Sequence, residues 1–219
     1  MSLSSGVMDV VDMLSENLHE VWSVNKIDAG WRYGANRDDV AKTTPCLTYY
    51  ADLTDVDRSY DMTLTVETLK TLKALGHEPH PIDGLRRKLP LLEVSESYRQ
   101  STGYKPAPFD LSAVKVDHEV DKLIEVLAAN LHDIWAKNRI KEGWKFGQSE
   151  DNQCKKSPNL VPYDKVDWTL KKANRDSVQT IIKCLIAYGC NLRATNTPSE
   201  ASIHHLAPRS VSKTGSQLQ

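Results

Sequence analysis

One block of about 60 residues occurs twice in this chain, and the two copies align without a gap at an offset of 113 positions. Eighteen of the 60 aligned positions are identical between residues 17–76 and residues 130–189. The clearest match sets Asn17-Leu-His-Glu-Val-Trp22 against Asn130-Leu-His-Asp-Ile-Trp135. Self-similarity at a fixed offset is the signature of a repeat architecture, so the sequence predicts two copies of one structural unit.

Each copy is predicted to contain two main helices and a short extended segment. Apolar residues recur at helical spacing before Trp22 and Trp135, and again over 61–75 and 174–188. The sheltered faces of the first helices are expected to carry Val7, Val10, Val11, Leu14, Leu18 and Val21 in one copy and Val120, Leu123, Ile124, Leu127, Leu131 and Ile134 in the other. Those of the second helices are expected to carry Leu64, Leu69, Leu72 and Leu75, then Val178, Ile181, Ile182 and Leu185. The pattern predicts a mainly α fold with short β-strands, in the α+β class.

Glycines and prolines predict where these elements end. Gly30 and Gly143, in the repeated G-W-x-[YF]-G element, are suited to left-handed C-caps of the first helices. A proline opens each predicted extended run, at residues 45–50 and 158–163. Pro162 lies inside the second run and limits it to an edge strand or irregular chain.

Composition divides the chain into segments. The predicted boundaries are residues 7–78 for the first repeat, 79–112 for a linker and lead-in, 113–192 for the second repeat and 193–219 for a disordered tail. The tail is rich in Ser, Thr, Pro and Ala and would bury too little apolar surface to offset chain entropy. The lead-in segment, residues 103–112, precedes the second repeat. Its counterpart would lie before Met1, so we expect the chain to be part of a longer protein.

Charge, hydropathy and cysteine usage argue against several classes of protein. The formal net charge of −1 over 219 residues provides no basic field for nucleic acid. No apolar run approaches 18 residues, so we expect no segment that spans a membrane. We also expect no direct contact with a membrane. The four cysteines show neither a disulfide framework nor zinc-site spacing, and we interpret them as reduced thiols of a cytosolic protein.

The strongest candidate binding feature is a stripe of His19, Trp22 and Lys26, repeated as His132, Trp135 and Arg139. Positions i, i+3 and i+7 share one face of a helix. An indole, an imidazole and a cation side by side suit a planar anionic ligand, because a base can stack on the indole and a phosphate can pair with the cation. The alternative is that both tryptophans are core anchors.

Other notable residues are given structural interpretations. Trp31 and Trp144 are expected to be packed aromatics of the G-W-x-[YF]-G turn. Asp38 and Asp151 recur at the repeat offset, so we expect them to cap or bridge the loop that follows. No phosphate-binding loop, zinc-protease motif or nucleophile elbow is present in the sequence. We therefore expect no enzymatic activity.

The order of these motifs resembles the RyR domain of ryanodine receptors. The residues that carry the resemblance are Asn17-Leu-His-Glu-Val-Trp22, Asn25-Lys-Ile-Asp-Ala-Gly-Trp-Arg-Tyr-Gly34, Arg37-Asp-Asp39, Pro45-Cys-Leu47 and Glu67-Thr-Leu-Lys-Thr-Leu-Lys-Ala-Leu-Gly76. The lead-in segment and Leu160-Val-Pro-Tyr163 resemble the next copy in that family. Two copies with a linker of this length resemble the first tandem pair of the channel, repeats one and two.

The resemblance implies a location and a partner. Ryanodine receptors are homotetrameric calcium-release channels of the sarcoplasmic or endoplasmic reticulum, and this module would lie in their cytosolic assembly, contacting other domains and subunits. Two pseudo-symmetric halves would form a cleft that is associated with adenine nucleotide, such as ATP, between Trp22 and Trp135. No cofactor would be required.

The resemblance also implies that Ser157 and Asn159 are among the residues that contact the nucleotide. The vertebrate pattern often reads Asn-Pro-Arg where this chain has Ser157-Pro158-Asn159, so a cation expected near a phosphate is missing and Lys155 or Lys156 is its candidate replacement. The leading hypothesis is a non-catalytic cytosolic channel module that serves as a scaffold and binds a regulatory nucleotide. The alternative is a stand-alone RyR-domain protein with a ligand-binding or adaptor role.

Overall fold

Four long helices dominate the computed structural model, which describes residues 5–77, 79–81 and 88–192. The helices are α1 (Ser5–Asp28), α2 (Asp55–Ala74), α3 (His118–Lys141) and α4 (Trp168–Tyr188). Short 3-10 turns at Tyr50–Asp52, Glu96–Tyr98 and Tyr163–Lys165 connect them. The predicted mainly α fold with two repeats is confirmed.

The helices form one closed arrangement around a shared core. Within the repeats α1 packs on α2 and α3 on α4, and between the repeats α2 packs on α3 and α1 on α4. Most of the apolar positions predicted from helical spacing meet in this core, whose fully buried members include Val11, Leu14, Leu69, Leu72, Ile124, Leu127, Val178, Ile181, Ile182 and Leu185. Val21 and Ile134 are half-buried and lie outside this core, and the predicted Val7 side chain is not among those the structure describes. Because every helix contributes to one core, neither repeat buries its apolar face alone.

Short strands hold the loops that follow α1 and α3. In the first repeat β1 (Arg32–Tyr33) pairs in parallel with β2 (Thr43–Thr44). After β3 (His80–Pro81), the second repeat has the equivalent pair β4 (Lys145–Phe146) and β5 (Lys156–Ser157). The last strand, β6 (Cys190–Asn191), pairs antiparallel with β3 and so joins the ends of the two repeats.

The predicted extended runs after the prolines were wrong. The strands of each repeat lie just before Pro45 and Pro158, and residues 45–50 and 158–163 form turns that lead into 3-10 helices. Of the two alternatives for Pro162, irregular chain is the one observed: this residue precedes the 3-10 turn Tyr163–Lys165. A proline fixes φ and cannot donate to a sheet, so it ends these two-residue strands.

The last glycine of G-W-x-[YF]-G is required by the close approach of β1 and β2. A Cβ on Gly34 would lie 2.7 Å from Cβ of Thr43, and a Cβ on Gly147 would lie 2.7 Å from Cβ of Lys156. Real Cβ atoms do not approach this closely, so a side chain here would separate the paired strands. The same constraint in both copies explains why both glycines are present.

The helix ends agree with the predicted caps at most positions. Helices α1 and α3 stop two residues before Gly30 and Gly143, whose φ angles of +87° and +89° are left-handed. Helices α2 and α4, however, begin at Asp55 and Trp168, about six residues before the predicted start of their apolar pattern. Their first turns are largely exposed, so they carry no apolar stripe to reveal them.

Side-chain caps explain why α2 and α4 begin early. Thr54 accepts a hydrogen bond from the backbone N–H of Asp57, and Asp167 accepts one from Thr169. Asp55 and Asp57 also place negative charge in the first turn of α2, where the helix dipole favours it. The cap residues therefore provide the signal that the apolar pattern lacks.

The lead-in segment packs on the first repeat, although it precedes the second. Ala107 N donates to Glu20 Oε2 at 2.6 Å, and Phe109 N donates to Asn17 Oδ1 at 2.8 Å. The Tyr104 side chain is fully buried, and its hydroxyl donates to Glu20 Oε2 at 3.1 Å. This part of the predicted linker is therefore bound to α1.

Some sequence predictions lie outside the described residues. The main one is the disordered tail predicted at 193–219. Within the described residues, no helix combines the length and the hydrophobicity needed to cross a bilayer.

Candidate functional site

The first stripe forms as predicted on the C-terminal half of α1. The rings of His19 and Trp22 stack with centroids 5.7 Å apart and an angle of 24° between their planes. Lys26 Nζ lies 5.7 Å from the centroid of Trp22 and 4.4 Å from the centroid of Trp31. The ammonium group is therefore held against two indole rings at once, which stabilises it by cation–π attraction.

The second stripe repeats this geometry on α3. The rings of His132 and Trp135 lie 5.5 Å apart, tilted by 33°. The guanidinium carbon of Arg139 lies 6.0 Å from the centroid of Trp135 and 4.4 Å from the centroid of Trp144. Duplication has thus preserved the contact between helix cation and turn tryptophan, and Trp31 and Trp144 are buried as their predicted structural role requires.

Both histidines are fixed by backbone carbonyl groups. His19 Nε2 lies 2.8 Å from Thr48 O, and His132 Nε2 lies 2.8 Å from Val161 O. A carbonyl oxygen only accepts, so each Nε2 carries the proton. Burial lowers the pKa of His19, an effect that the Thr48 carbonyl partly offsets. His19 and His132 are only 3% and 2% exposed, so they position the tryptophan rings more than they offer a surface to a ligand.

Trp22 and Trp135 are half-buried, which leaves part of each ring at the surface. Trp22 borders a small apolar cluster of Ile27, Trp31 and Leu47. Each indole is therefore partly packed, as the core interpretation predicts, and partly exposed, as a ligand-binding surface requires.

The charge around the two stripes differs. In repeat one the guanidinium carbon of Arg37 lies 5.4 Å from the Trp31 centroid. The equivalent residue of repeat two is Glu150, which has the opposite charge. Burial and the nearby Arg37 charge lower the pKa of Lys26, so the two cations repel each other. In repeat two Arg139 lies 3.8 Å from the Glu142 carboxylate. Asp39 lies 2.8 Å from Arg37 and partly offsets its charge, so the Trp31 turn has two cations and one carboxylate where the Trp144 turn has one of each.

Ser157 and Asn159 take part in the loop of the second repeat. The Ser157 hydroxyl is buried and donates to Glu150 Oε2 at 2.6 Å. It also accepts from the backbone N–H of Asn159 at 3.4 Å, and Asn159 itself is half-buried. Lys155 Nζ donates to Glu142 O at 2.8 Å, which leaves Lys156, an exposed residue, as the freer of the two candidate cations.

The recurring aspartates cap their loops, as predicted. Asp38 Oδ1 accepts from the backbone N–H groups of Val40 and Ala41, each at 2.9 Å. Asp151 Oδ1 accepts from Cys154 N at 2.8 Å. In the part of the chain that the structure describes, no group of three or more His, Cys, Asp and Glu residues is close enough to hold a metal ion.

Two cavities lie beside the lead-in segment, and the stripe residues line neither of them. One, of about 560 Å³, lies between residues 91–96 and 105–107. The other, of about 270 Å³, lies between the repeats and is lined by Val21 of α1, by residues 109–112 and by Gln179, Thr180 and Lys183 of α4. Among the described residues, the rings of Trp22 and Trp135 make no contact with each other. The structure thus assembles each stripe within its own repeat.

Two groups near the first stripe were missed in the sequence. The Asp61 carboxylate lies 4.0 Å from His19 Nδ1, and its burial raises its pKa to about 7. Asp61 lies four, seven and eleven positions before Thr65, Thr68 and Leu72, all buried on α2, so helical spacing places it on the sheltered face. Arg37 was noticed only as part of the Arg37-Asp-Asp39 motif, because nothing in the sequence brings it to Trp31.

The fold defines a tandem-repeat helical module in which each repeat carries one stripe. A family model described as the RyR domain matches residues 1–84 and again residues 104–194, which together make up most of the chain. The chain belongs to the RyR domain family, and the two matches correspond to its two repeats.

Proposed function

We propose that this chain is a non-catalytic cytosolic module of a ryanodine-receptor calcium-release channel that contacts other channel domains and binds adenine nucleotide at its tryptophan stripes. The observation that carries the binding role is the doubled arrangement of a half-buried indole between a fixed imidazole and a cation. Indole faces accept a base by stacking, and the adjacent cations neutralise phosphate charge. In this proposal the parent channel spans the sarcoplasmic or endoplasmic reticulum membrane and the module stays on the cytosolic face, without touching membrane or nucleic acid.

The charge asymmetry supports an orientation for the nucleotide. Lys26 and Arg37 repel each other beside Trp31, and an anion placed between them would relieve that repulsion. Arg139 already has a carboxylate neighbour in Glu142, and Glu150 adds negative charge to the second loop. The first stripe is therefore the better site for the phosphates of a bound nucleotide, with its base stacked on Trp22.

Calorimetric titration of ATP into the 219-residue chain tests the binding role. We expect saturable binding that Trp22→Ala and Trp135→Ala each weaken, together with a change in tryptophan fluorescence. Lys26→Glu should weaken binding by about tenfold or more, because it removes a charge-assisted contact and adds repulsion. Trp168→Ala is the matched control, since Trp168 is 72% exposed at the start of α4 and lies outside both stripes.

Two results would contradict nucleotide binding. One is the absence of heat at millimolar ATP with the wild-type chain. The other is an affinity that neither stripe substitution changes. If the two indoles act only as core residues, Trp22→Ala and Trp135→Ala should each cost about 3–5 kcal/mol in the free energy of unfolding and leave any ATP affinity of the folded fraction unchanged.

A stand-alone RyR-domain protein with an adaptor role is the alternative. Immunoblotting of source tissue with an antibody against this chain separates the two, because a channel module should appear only in a very large, detergent-extracted assembly. A soluble species near 24.6 kDa, the mass of the chain, would support the adaptor instead.

A further inference from the structure

The face where α2 meets α3 has the same design as the face of α1 that binds the lead-in segment. Both α1 and α3 present an asparagine and a carboxylate three residues apart: Asn17 and Glu20 on α1, Asn130 and Asp133 on α3. At helical spacing these side chains share one face. On α1 they accept the N–H groups of Phe109 and Ala107.

The segment bound on α1 has a backbone matched to that pair. Ala107 and Phe109 donate to α1, and the alternate positions, Pro106 and Pro108, have no N–H to leave unpaired. Prolines also favour the extended conformation, which lowers the entropy lost on binding. Tyr104 then fills the space beside His19, with ring centroids 6.2 Å apart.

On α3 the equivalent acceptors, Asn130 Oδ1 and the Asp133 carboxylate, receive no hydrogen bond from a described residue. Asn130 Nδ2 donates to Thr71 Oγ1 of α2 at 2.9 Å, and Thr71 in turn donates to Glu67 O, so the Asn130 Oδ1 atom faces away from that bond. Asn17 and Glu20 are 3% and 9% exposed, whereas Asn130 is half-buried and Asp133 is exposed. No described residue donates a hydrogen bond to Asp133.

We propose that the α2/α3 face, defined by Asn130, Asp133 and Ile134 of α3 with Val66 and Thr71 of α2, binds an extended peptide segment of the lead-in type. The occupant carries a tyrosine followed by alternating prolines and an apolar residue, and it donates two alternate backbone N–H groups to Asp133 and Asn130. Apolar area comes from Val66 and Ile134, both half-buried. This inference does not depend on nucleotide binding.

A synthetic peptide with the sequence of residues 103–112, GYKPAPFDLS, is the probe, and fluorescence polarisation against the full chain is the measurement. We expect saturable binding that Asp133→Lys weakens by about tenfold, because a charge-assisted hydrogen bond is lost and the face gains a positive charge. Glu119→Lys makes the same charge change on an 80% exposed side chain of the same helix and should leave the affinity unchanged.

A second peptide isolates the backbone contacts. N-methylation at the alanine and phenylalanine nitrogens removes both donors and keeps the side chains, so this peptide should not bind. Asp133 is exposed, so Asp133→Lys should fold normally, and circular dichroism checks this; Asp133→Asn, which keeps an acceptor, should retain most of the affinity.

The position at which the peptide binds is the decisive test of the proposal. With benzoylphenylalanine in place of the peptide phenylalanine, photo-crosslinks should fall on α2 and α3. The proposal is overturned by crosslinks on α1, which would mean that the peptide displaces the resident lead-in segment. It is also overturned by an absence of binding at millimolar peptide or by equal binding of the methylated peptide.

Discussion

The two repeats share their internal frame but differ in what the rest of the chain adds to it. In both, the histidine binds a loop carbonyl at 2.8 Å and the helix cation lies 4.4 Å from the buried tryptophan. Among the described residues, repeat one alone has the lead-in segment across its first helix, a carboxylate beside its histidine and a second cation beside its turn tryptophan. The contacts of the histidine with its loop and of the helix cation with the turn tryptophan have been kept, whereas the groups around this frame have diverged.

The largest expected effect on stability comes from removing Tyr104, the tyrosine of the lead-in segment that binds repeat one. Tyr104 is fully buried between His19 and Tyr49, and burial together with the nearby Glu20 charge raises the pKa of its hydroxyl. Tyr104→Ala should lower the free energy of unfolding by about 3–5 kcal/mol through the cavity it leaves. Urea unfolding followed by circular dichroism measures this.

Tyr104→Phe is the control for packing. It keeps the ring and removes only the hydrogen bond to Glu20, so we expect a loss of about 1–3 kcal/mol. An equal loss for both variants would mean that the hydroxyl, and not the packed ring, holds the lead-in segment to α1.

The equivalent carboxylates Glu20 and Asp133 should respond unequally to truncation. Glu20→Ala leaves the Ala107 N–H and the Tyr104 hydroxyl without their acceptor, and it should cost about 2–3 kcal/mol in the free energy of unfolding. Asp133→Ala changes an exposed side chain and should stay within about 0.5 kcal/mol of wild type. Similar costs at the two positions would contradict the difference between the two helix faces.

The carboxylate beside His19 should make repeat one sensitive to pH. Burial raises the pKa of Asp61 to about 7, well above that of an exposed aspartate, so the folded state holds this proton more tightly than the unfolded state. The protonated Asp61 carboxyl therefore contributes to the free energy of unfolding at pH 4, and this contribution is lost as the pH rises towards 7. Asp61→Asn copies Asn174, the equivalent residue of repeat two, and removes this titration.

The stability of Asp61→Asn relative to wild type should therefore rise between pH 5 and pH 8. One pKa unit corresponds to about 1.4 kcal/mol, and solvent reaches a quarter of the Asp61 side chain, so we expect a relative gain of about 1–2 kcal/mol. Urea unfolding at several pH values measures it. His19 titrates in both proteins, so most of its effect cancels, and a difference that does not change with pH would contradict the raised pKa.

Much of the fold was predictable because helices of 20 or more residues repeat their apolar spacing several times. The core faces of α1 to α4 and the glycine stops followed from that repetition. The two-residue strands carry no such period, which is why the strand was misplaced after Pro45. The stripes were predictable from spacing along one helix, whereas the burial of Tyr104 against α1 joins residues 84 positions apart and leaves no local pattern.

Exchanging the charges at Arg37 and Glu150 tests whether the difference between the repeats extends to ligand binding, and it should have the smallest energetic effect. Arg37 lies beside Trp31 and its pKa is raised chiefly by its hydrogen bond to Asp39, so it is partly neutralised already. Arg37→Glu should weaken ATP binding by about fivefold, near 1 kcal/mol, because the site is open to solvent. Titration calorimetry at low and high salt measures this, and the effect should shrink at high salt.

The reverse substitution, Glu150→Arg, adds a cation to the second loop but also removes the acceptor of the buried Ser157 hydroxyl. Glu150→Gln is therefore the better partner for the comparison, because its amide oxygen still accepts that bond while the negative charge is lost. We expect Glu150→Gln to change ATP affinity by less than Arg37→Glu does, since the phosphates are proposed to lie on the first stripe. A larger effect at Glu150 than at Arg37 would reverse the proposed orientation and place the phosphates on repeat two.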